Sequence, residues 1–474
     1  MTRRRKQKLI KNVFSLFVLV IILLAVFQII KLDILPEKYL ILFLIGEAAL
    51  FLLAFILYNI RKKVLIIIGL ILYIVILIGN IFGYYYLSKI NNYLDNNLNQ
   101  DTYKIKTSYY LITHKNSKAE KLDDLNNKSK IDYYKYSRAI KLAKKKLGKY
   151  QYTEKNTIID SLKEMQTEDK YFLVASANYD YLFENSKLNT INKDDYKIIY
   201  KFNVYEELKT NKETPDSYNI YLTGLDFTGV MRDYNMIATV NTKTHKVVLT
   251  SIPRGTYIDV PGYNIKDNLM CMGALDSEVS KEALEKFLDI KIDYTINLNT
   301  NSLVDIVDSL NGIEFCSDMA FKTTHALVLD TYDDKGKKLY VPKGCATYNG
   351  IEILTIARER NAFPGRDVYR QKNCRKILIS IVKKLASTTT ITNYTEVINS
   401  LDGLYTTDMN EKTIKNLVKS GLSGSNYEII EQSIDGTDSK GMVHLGTVED
   451  WILTPNPDTV NSCREQINKV LKEK

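Results

Sequence analysis

The chain opens with three runs of nearly unbroken Leu, Ile, Val and Phe: Leu9 to Ile30, Tyr39 to Ile60 and Val64 to Leu87. Each approaches the ~20 apolar residues that a helix needs to cross a bilayer. In hydrocarbon every backbone amide must find its partner within the segment, so these runs predict three spanning helices. The first run exceeds the roughly 7–15 apolar residues of a cleavable signal peptide, and no small-residue cleavage site follows it. Arg3, Arg4, Arg5, Lys6, Lys8 and Lys11 precede the first run, and Arg61, Lys62 and Lys63 separate the second from the third. Such basic flanks stay cytoplasmic, so everything after Leu87 is expected outside the cell. Residues 1–87 therefore read as a multi-pass anchor.

Beyond Leu87 the pattern becomes mixed. Ser88 to about Ser217 is rich in Lys, Asn and Tyr, with a helix-like stretch from Tyr133 to Leu147 and an apolar run from Tyr171 to Ala177. We read 88–216 as a small α/β accessory domain. Stronger signals follow: Tyr218 to Leu222 reads as a strand, Gly224 as a turn, and Met236 to Val240 with Lys246 to Ile252 as a hairpin. Ser302 is placed to cap a helix carrying Leu303, Val304, Ile306, Val307 and Leu310, which Gly312 ends. Lys281 to Leu288 is amphipathic. Tyr369 to Leu385 has the clearest apolar stripe and holds Arg370 in its first turn, and Asn456-Pro457-Asp458 precede a last helix from Thr459 to Leu471. Strands alternating with helices predict an α/β domain with a central mixed sheet over 217–390, with 391–474 as its extension.

The formal charge of +10 changes meaning once it is divided. Up to Leu87 eleven Lys and Arg face only Asp33, Glu37 and Glu47, a net +8 that leaves +2 for the rest. The basic excess is thus mostly a topology signal, and nucleic acid is not an expected partner. All five cysteines lie beyond the anchor, where disulfides persist, and an odd count leaves one over. His114, His245, His325 and His444 are scattered, so neither a zinc cluster nor a Ser-His triad has raw material.

A few charged residues carry the chemistry. Asp226 falls just past one strand and Asp233 just before the next, which puts both carboxylates at neighbouring strand ends. Arg254 follows Pro253 at the end of the hairpin. In Arg358-Glu359-Arg360 an extended backbone sends both guanidinium groups to one face, with Asp367 and Arg370 further on. Two carboxylates beside several arginines suit a diphosphate. Magnesium takes one or two carboxylates plus phosphate oxygens, and arginines fork onto the oxygens that remain.

Thr223-Gly224-Leu225-Asp226, Asp233-Tyr234-Asn235, Thr239 to Thr244 and Ser251-Ile252-Pro253-Arg254 together resemble the core of the LytR-CpsA-Psr family. The resemblance continues through Pro261-Gly262-Tyr263, Lys266-Asp267, Val307-Asp308, Gly312-Ile313-Glu314, Asn349-Gly350, Ala357 to Arg360 and Gly365 to Arg370. Three membrane helices before an accessory domain look most like the CpsA branch, associated with capsule and teichoic-acid-like polymers. The resemblance implies a phosphotransferase that moves a glycopolymer from undecaprenyl diphosphate in the membrane lipid to peptidoglycan. It implies magnesium, with manganese as a substitute, and an apolar tunnel for the polyprenyl tail. Carried over, Asp226 and Asp233 are the metal-side carboxylates and Arg254, Arg360 and Asp367 join them in catalysis. Arg232, Lys266, Arg358, Arg370 and Gln371 are expected on the substrate.

The chain departs from the family pattern in four places. Met231-Arg232-Asp233 sets the arginine one residue late, and Gly255 replaces an acid after Arg254. Cys374 stands where the family often has glutamine and Cys271 where it often has histidine, so a Cys271–Cys374 disulfide is expected, with Cys316–Cys345 as a second pair. Two alternatives stay open: a non-catalytic polyprenyl-phosphate binder or wall-assembly scaffold, and a polyprenyl diphosphate hydrolase.

Overall fold

A computed structural model of the chain describes residues 3–97, 102–134, 137, 139–155, 158–176, 178–179, 192–209, 213–225, 231–261, 265–275, 277–298, 300–327, 336–385, 405–422, 427–443 and 448–474. Three helices come first: α1 (Arg3–Leu32), α2 (Glu37–Asn59) and α3 (Lys63–Asn97). All three are long and apolar enough to cross a membrane. Polar side chains tie them together: Tyr73 Oη donates to Ser15 Oγ at 3.0 Å, and Asn80 Nδ2 reaches Glu47 Oε2 at 3.3 Å. Where α2 and α3 approach, a Cβ on Gly69 would stand 2.5 Å from the Tyr58 backbone nitrogen, so only glycine fits. The third helix runs past the expected end at Leu87. Its polar C-terminal part is held against α1 by Asn91 Nδ2 on Gln28 Oε1 at 2.8 Å and by Lys31 on Asp95 at 2.7 Å.

The accessory unit follows as β1 (Thr102–His114), β2 (Lys130–Tyr134), α4 (Ile140–Leu147), β3 (Gln151–Lys155), α5 (Ile158–Met165), β4 (Tyr171–Ala175) and β5 (Tyr196–Lys209). These strands form one five-stranded sheet in the order β3-β2-β4-β1-β5. The helix expected from Tyr133 to Leu147 is corrected here. Ile131 and Tyr134 are buried in the sheet, Ala139 turns with φ 54°, and only Ile140 onward is helical. Pairing with β3 and β4 overrides the helical spacing of the apolar positions.

The larger unit contains β6 (Ser217–Leu225), β7 (Arg232–Asn241), β8 (Lys246–Ser251), β9 (Tyr257–Asp259), β10 (Lys266–Asn268), α6 (Leu269–Leu275), α7 (Ser277–Leu288), β11 (Tyr294–Leu298) and α8 (Thr300–Ser309). It continues with β12 (Ile313–Ser317), β13 (Phe321–Ala326), β14 (Lys338–Val341), β15 (Gly344–Tyr348), α9 (Gly350–Arg358), α10 (Arg366–Leu385), β16 (Tyr405–Thr407) and α11 (Glu411–Leu422). The chain closes with β17 (Glu428–Ser433), β18 (Gly436–Val443), β19 (Val448–Pro455) and α12 (Pro457–Lys472).

Its centre is a six-stranded mixed sheet, β16-β11-β6-β7-β8-β17. Strands β6, β7 and β8 run antiparallel, while β11 joins β6 and β17 joins β8 in parallel. The period of two along each strand builds two cores. Tyr221, Ile237 and Ile252 face α7 and α12, in an apolar cluster that continues into the accessory sheet through Ile112, Phe172 and Tyr196. Ile220, Met236, Ala238 and Leu249 face α10 and α11 through Leu378, Ile379, Ile414 and Leu417. The C-terminal stretch is integral to this unit. Asn456 caps α12 by accepting from Asp458 N, and Asn241 Nδ2 donates to the Val470 and Glu473 carbonyls.

Cys316 and Cys345 face each other across β12 and β15 and form a disulfide. The expected Cys271–Cys374 bridge does not form. The two belong to different layers: Cys271 packs with Val443, Val448 and Ile452, whereas the Cys374 thiol donates to the Ala357 carbonyl at 3.5 Å. Burial pushes the Cys374 thiol up to about 11, so it stays protonated at neutral pH. Non-reducing peptide mapping should give one linked pair, Cys316–Cys345, and three thiols that alkylate only after unfolding. Reduction opens a loop with a sequence separation of 29 and should cost about 3–4 kcal/mol of stability.

Candidate active site

Four charged side chains from three elements converge at one end of the central strands β7 and β8. Asp233 is the extra residue of a bulge, because Gly224 pairs with Tyr234 but Leu225 pairs with Arg232. A bulge re-aims the side chain it carries. Arg254 sits in the turn after β8, pinned where Thr256 N donates to Pro253 O at 3.0 Å and Met270 N to Arg254 O at 2.9 Å. Asp367 and Arg370 occupy the first turn of α10, which Gly365 enters with φ 76°.

Arg254 is ion-paired with Asp233 and places its Nε 3.6 Å from Asp367 Oδ1. Arg370 Nη2 lies 2.8 Å from Asp367 Oδ1 and donates to the Asp233 carbonyl at 2.6 Å, and its Nη1 is 3.8 Å from Asp233 Oδ2. The side chains of Arg370 and Asp367 are only 5% and 7% exposed. Burial works against the Arg370 charge, but the Asp367 and Asp233 carboxylates outweigh it and hold that guanidinium above its ordinary range. Two positive and two negative groups cancel. Added phosphates would therefore compete with the carboxylates for arginines already turned toward the site.

The model of the LytR_cpsA_psr family matches residues 178–455. This chain belongs to the LytR-CpsA-Psr family. A Bacillus licheniformis relative, the polyisoprenyl-teichoic acid–peptidoglycan teichoic acid transferase TagU, is 25% identical over 312 residues, covering 63% of this chain and 93% of that one. The Bacillus subtilis protein of the same name is 28% identical over 241 residues, with 50% and 73% covered. Among solved structures, Bacillus subtilis TagV is similar with a TM-score of 0.46 at 19% identity, covering 55% of this chain and 98% of that one.

Other residues of this LytR-CpsA-Psr chain fall around the cluster in different ways. Asp226 lies outside the described residues. Arg232 turns toward β11, donating to Asn297 Oδ1 at 2.9 Å with its guanidinium 5.7 Å from the Tyr221 ring centre. Arg358 ends α9 and Arg360 follows Glu359, which is fully buried and accepts from Thr324 and Ala362. Lys266 is exposed at the start of β10. Gln371 is fully buried one turn from Asp367, and neither of its amide atoms meets a partner among the described residues. A polar cavity of 680 Å³ among Lys118, Asp124, Lys128 and Lys170 belongs to the accessory sheet and holds none of the residues singled out above.

Two positioning residues escaped the sequence reading. Buried Asn235 accepts from Tyr221 Oη at 2.5 Å and donates to Arg232 O at 3.1 Å, which pins the bulge that aims Asp233. Arg375 anchors α10 to the sheet through Ser251 Oγ at 2.7 Å and Glu431 Oε2 at 3.1 Å. The readable signal was an arginine inside the stripe of an otherwise amphipathic helix.

Truncating one member of such a cluster strands a buried charge. Arg370→Ala should therefore destabilise the protein by about 3–5 kcal/mol. Adding Asp367→Asn should restore part of the loss, read as thermal unfolding of the full chain in detergent. A loss near that of an exposed pair, about 1 kcal/mol or less, would show that the four groups are not coupled.

Proposed function

We propose that this protein is a membrane-anchored phosphotransferase that moves a glycopolymer from undecaprenyl diphosphate to a peptidoglycan hydroxyl. The observation that carries this reading is the joining of Asp233, Arg254, Asp367 and Arg370 at one end of strands β7 and β8, in a sheet whose neighbouring layer is apolar. Leu222, Tyr234, Ile296, Leu378, Ile379, Ile414 and Leu417 stay only partly buried there, between the sheet and α10 with α11. A polyprenyl tail would find its solvent in that layer and its diphosphate would find the arginines. The relatives named above as teichoic acid transferases support the same polymer class.

The placement of α11 supports entry from the membrane. Lys419 pairs with Asp33 at 2.8 Å and Lys415 donates to the Lys31 carbonyl at 3.3 Å, so this helix stands at the loop joining α1 to α2. With the basic flanks of the spanning helices inside, that loop and the site face outward.

In the transfer, the acceptor oxygen attacks the phosphorus that bears the polymer. The bond from that phosphorus to the bridging oxygen breaks, and undecaprenyl monophosphate leaves. The proton of the hydroxyl passes to a carboxylate of the cluster. Arg254 and Arg370, with Arg358 at the end of α9 and Arg360 just after it, hold phosphate oxygens, and Asp367 orients the two arginines beside it. Magnesium, or manganese in its place, suits this donor set. Asp367 Oδ1 is taken by the arginines, but its Oδ2 is buried without a hydrogen bond among the described residues, and Asp233 belongs to the same cluster. Asp233 and Asp226 would hold the ion, which when bound neutralises charge on the diphosphate oxygens.

The test uses the full chain in lipid nanodiscs, a polyprenyl-diphosphate oligosaccharide and a peptidoglycan glycan. A phosphodiester-linked product is expected. Chelation should suppress it, and Asp233→Ala or Arg360→Ala should each lower the rate about 10²-fold or more, as expected for groups that stabilise transition-state charge. Lipid retained without turnover would replace this reading with a binder or scaffold. Release of free sugar phosphate would replace it with a hydrolase.

A further inference from the structure

The sole tryptophan of the chain, Trp451, stands beside the site in a way the transfer reaction does not use. It belongs to β19, whose hairpin with β18 is carried into the site by backbone contacts. Leu453 N donates to the Gly255 carbonyl at 2.7 Å, and Leu453 bridges Thr256. The six-membered ring of the indole lies directly over Gly255, the residue after Arg254. A Cβ there would stand 2.9 Å from Trp451 Cε3 and closer still to Cζ3 and Cη2. Any side chain at this position would displace the ring. The glycine that breaks the family's acidic pattern is thus the seat of an aromatic plane.

The indole is also fixed in rotation. Its Nε1 donates to Asp438 Oδ1 at 3.1 Å across the hairpin, on a strand that is exposed from Gly436 to Lys440. Trp451 itself remains partly open to solvent. A large indole left partly exposed on a rigid hairpin, with a carboxylate at its edge, is costly as a mere cover. Valine or leucine would close the same gap without an N–H to satisfy. The combination has the chemistry of a sugar platform. The axial C–H groups of a pyranose stack on the ring face, while the carboxylate accepts from equatorial hydroxyls at its rim.

We propose that Trp451 and Asp438 form a saccharide subsite that seats a pyranose ring next to the diphosphate held by Arg254. The inference rests on the transferase reading and adds where a sugar lies. That sugar is either the acceptor glycan or the first ring of the lipid-linked polymer.

A single tryptophan makes the test direct. Fluorescence of the full chain in nanodiscs, excited away from tyrosine, should change saturably with an N-acetylhexosamine oligosaccharide, with a polyprenyl-diphosphate-linked saccharide, or with both. Response to the free oligosaccharide assigns the platform to the acceptor, and response to the lipid-linked form alone assigns it to the donor. No response to either overturns the proposal, whether or not transfer occurs. In the transfer assay Trp451→Ala and Asp438→Asn should raise KM for the assigned sugar roughly 3–10-fold, the scale of one aromatic contact, with kcat less affected. Trp451→Phe should recover most of the loss. Unchanged KM in both Trp451→Ala and Asp438→Asn would sink the subsite and leave the transferase reading standing. Saturable fluorescence without any transfer would do the reverse.

Discussion

The candidate site depends on a buried ionic knot: two guanidinium groups and two carboxylates that neutralise one another at one end of the central strands. None of the four would tolerate burial alone, because removing a charge from water costs several kcal/mol unless a partner of opposite sign is at hand. Held together, they are oriented before any ligand arrives. In the proposed reaction a diphosphate would meet arginines whose positions have already been fixed by carboxylates, so little reorganisation would remain to be done.

That orientation is delegated to backbone features with no charge of their own. A bulge between β6 and β7 aims Asp233, and buried Asn235 keeps the bulge in place. Arg375 fastens α10 to β8 and β17, so that the N-terminal end of the helix presents Asp367 and Arg370 to the ends of the central strands. The C-terminal segment contributes β17 to the sheet and lays Trp451 over Gly255. A stretch that reads as an appendage along the chain is, in space, part of the wall of the site.

The three apolar helices and the larger unit are joined by contacts as well as tethered by the chain. Contacts from α11 to Lys31 and Asp33 set the apolar layer beneath α10 and α11 beside the junction of α1 and α2. A lipid-linked substrate lives in the bilayer and its reacting phosphates lie at the bilayer surface. An enzyme for such a substrate needs its apolar and ionic compartments stacked in that order.

Much of this was legible in one dimension. Spanning helices announce themselves because hydrocarbon demands an unbroken apolar run, and the strands and helices around Asp233 to Arg254 and Arg370 follow from periodicities of two and 3.6. By itself the sequence determined the three apolar helices, the mixed α/β class and a short roster of acids and arginines. Only the tertiary structure decided which of these meet. Arg232 turns to Asn297 while its neighbour Asp233 joins the knot, Tyr133 lies in a strand although its surroundings have helical spacing, and Cys271 and Cys374 settle in separate layers. In each case the deciding contact comes from residues distant along the chain, and local spacing carries no information about distant partners.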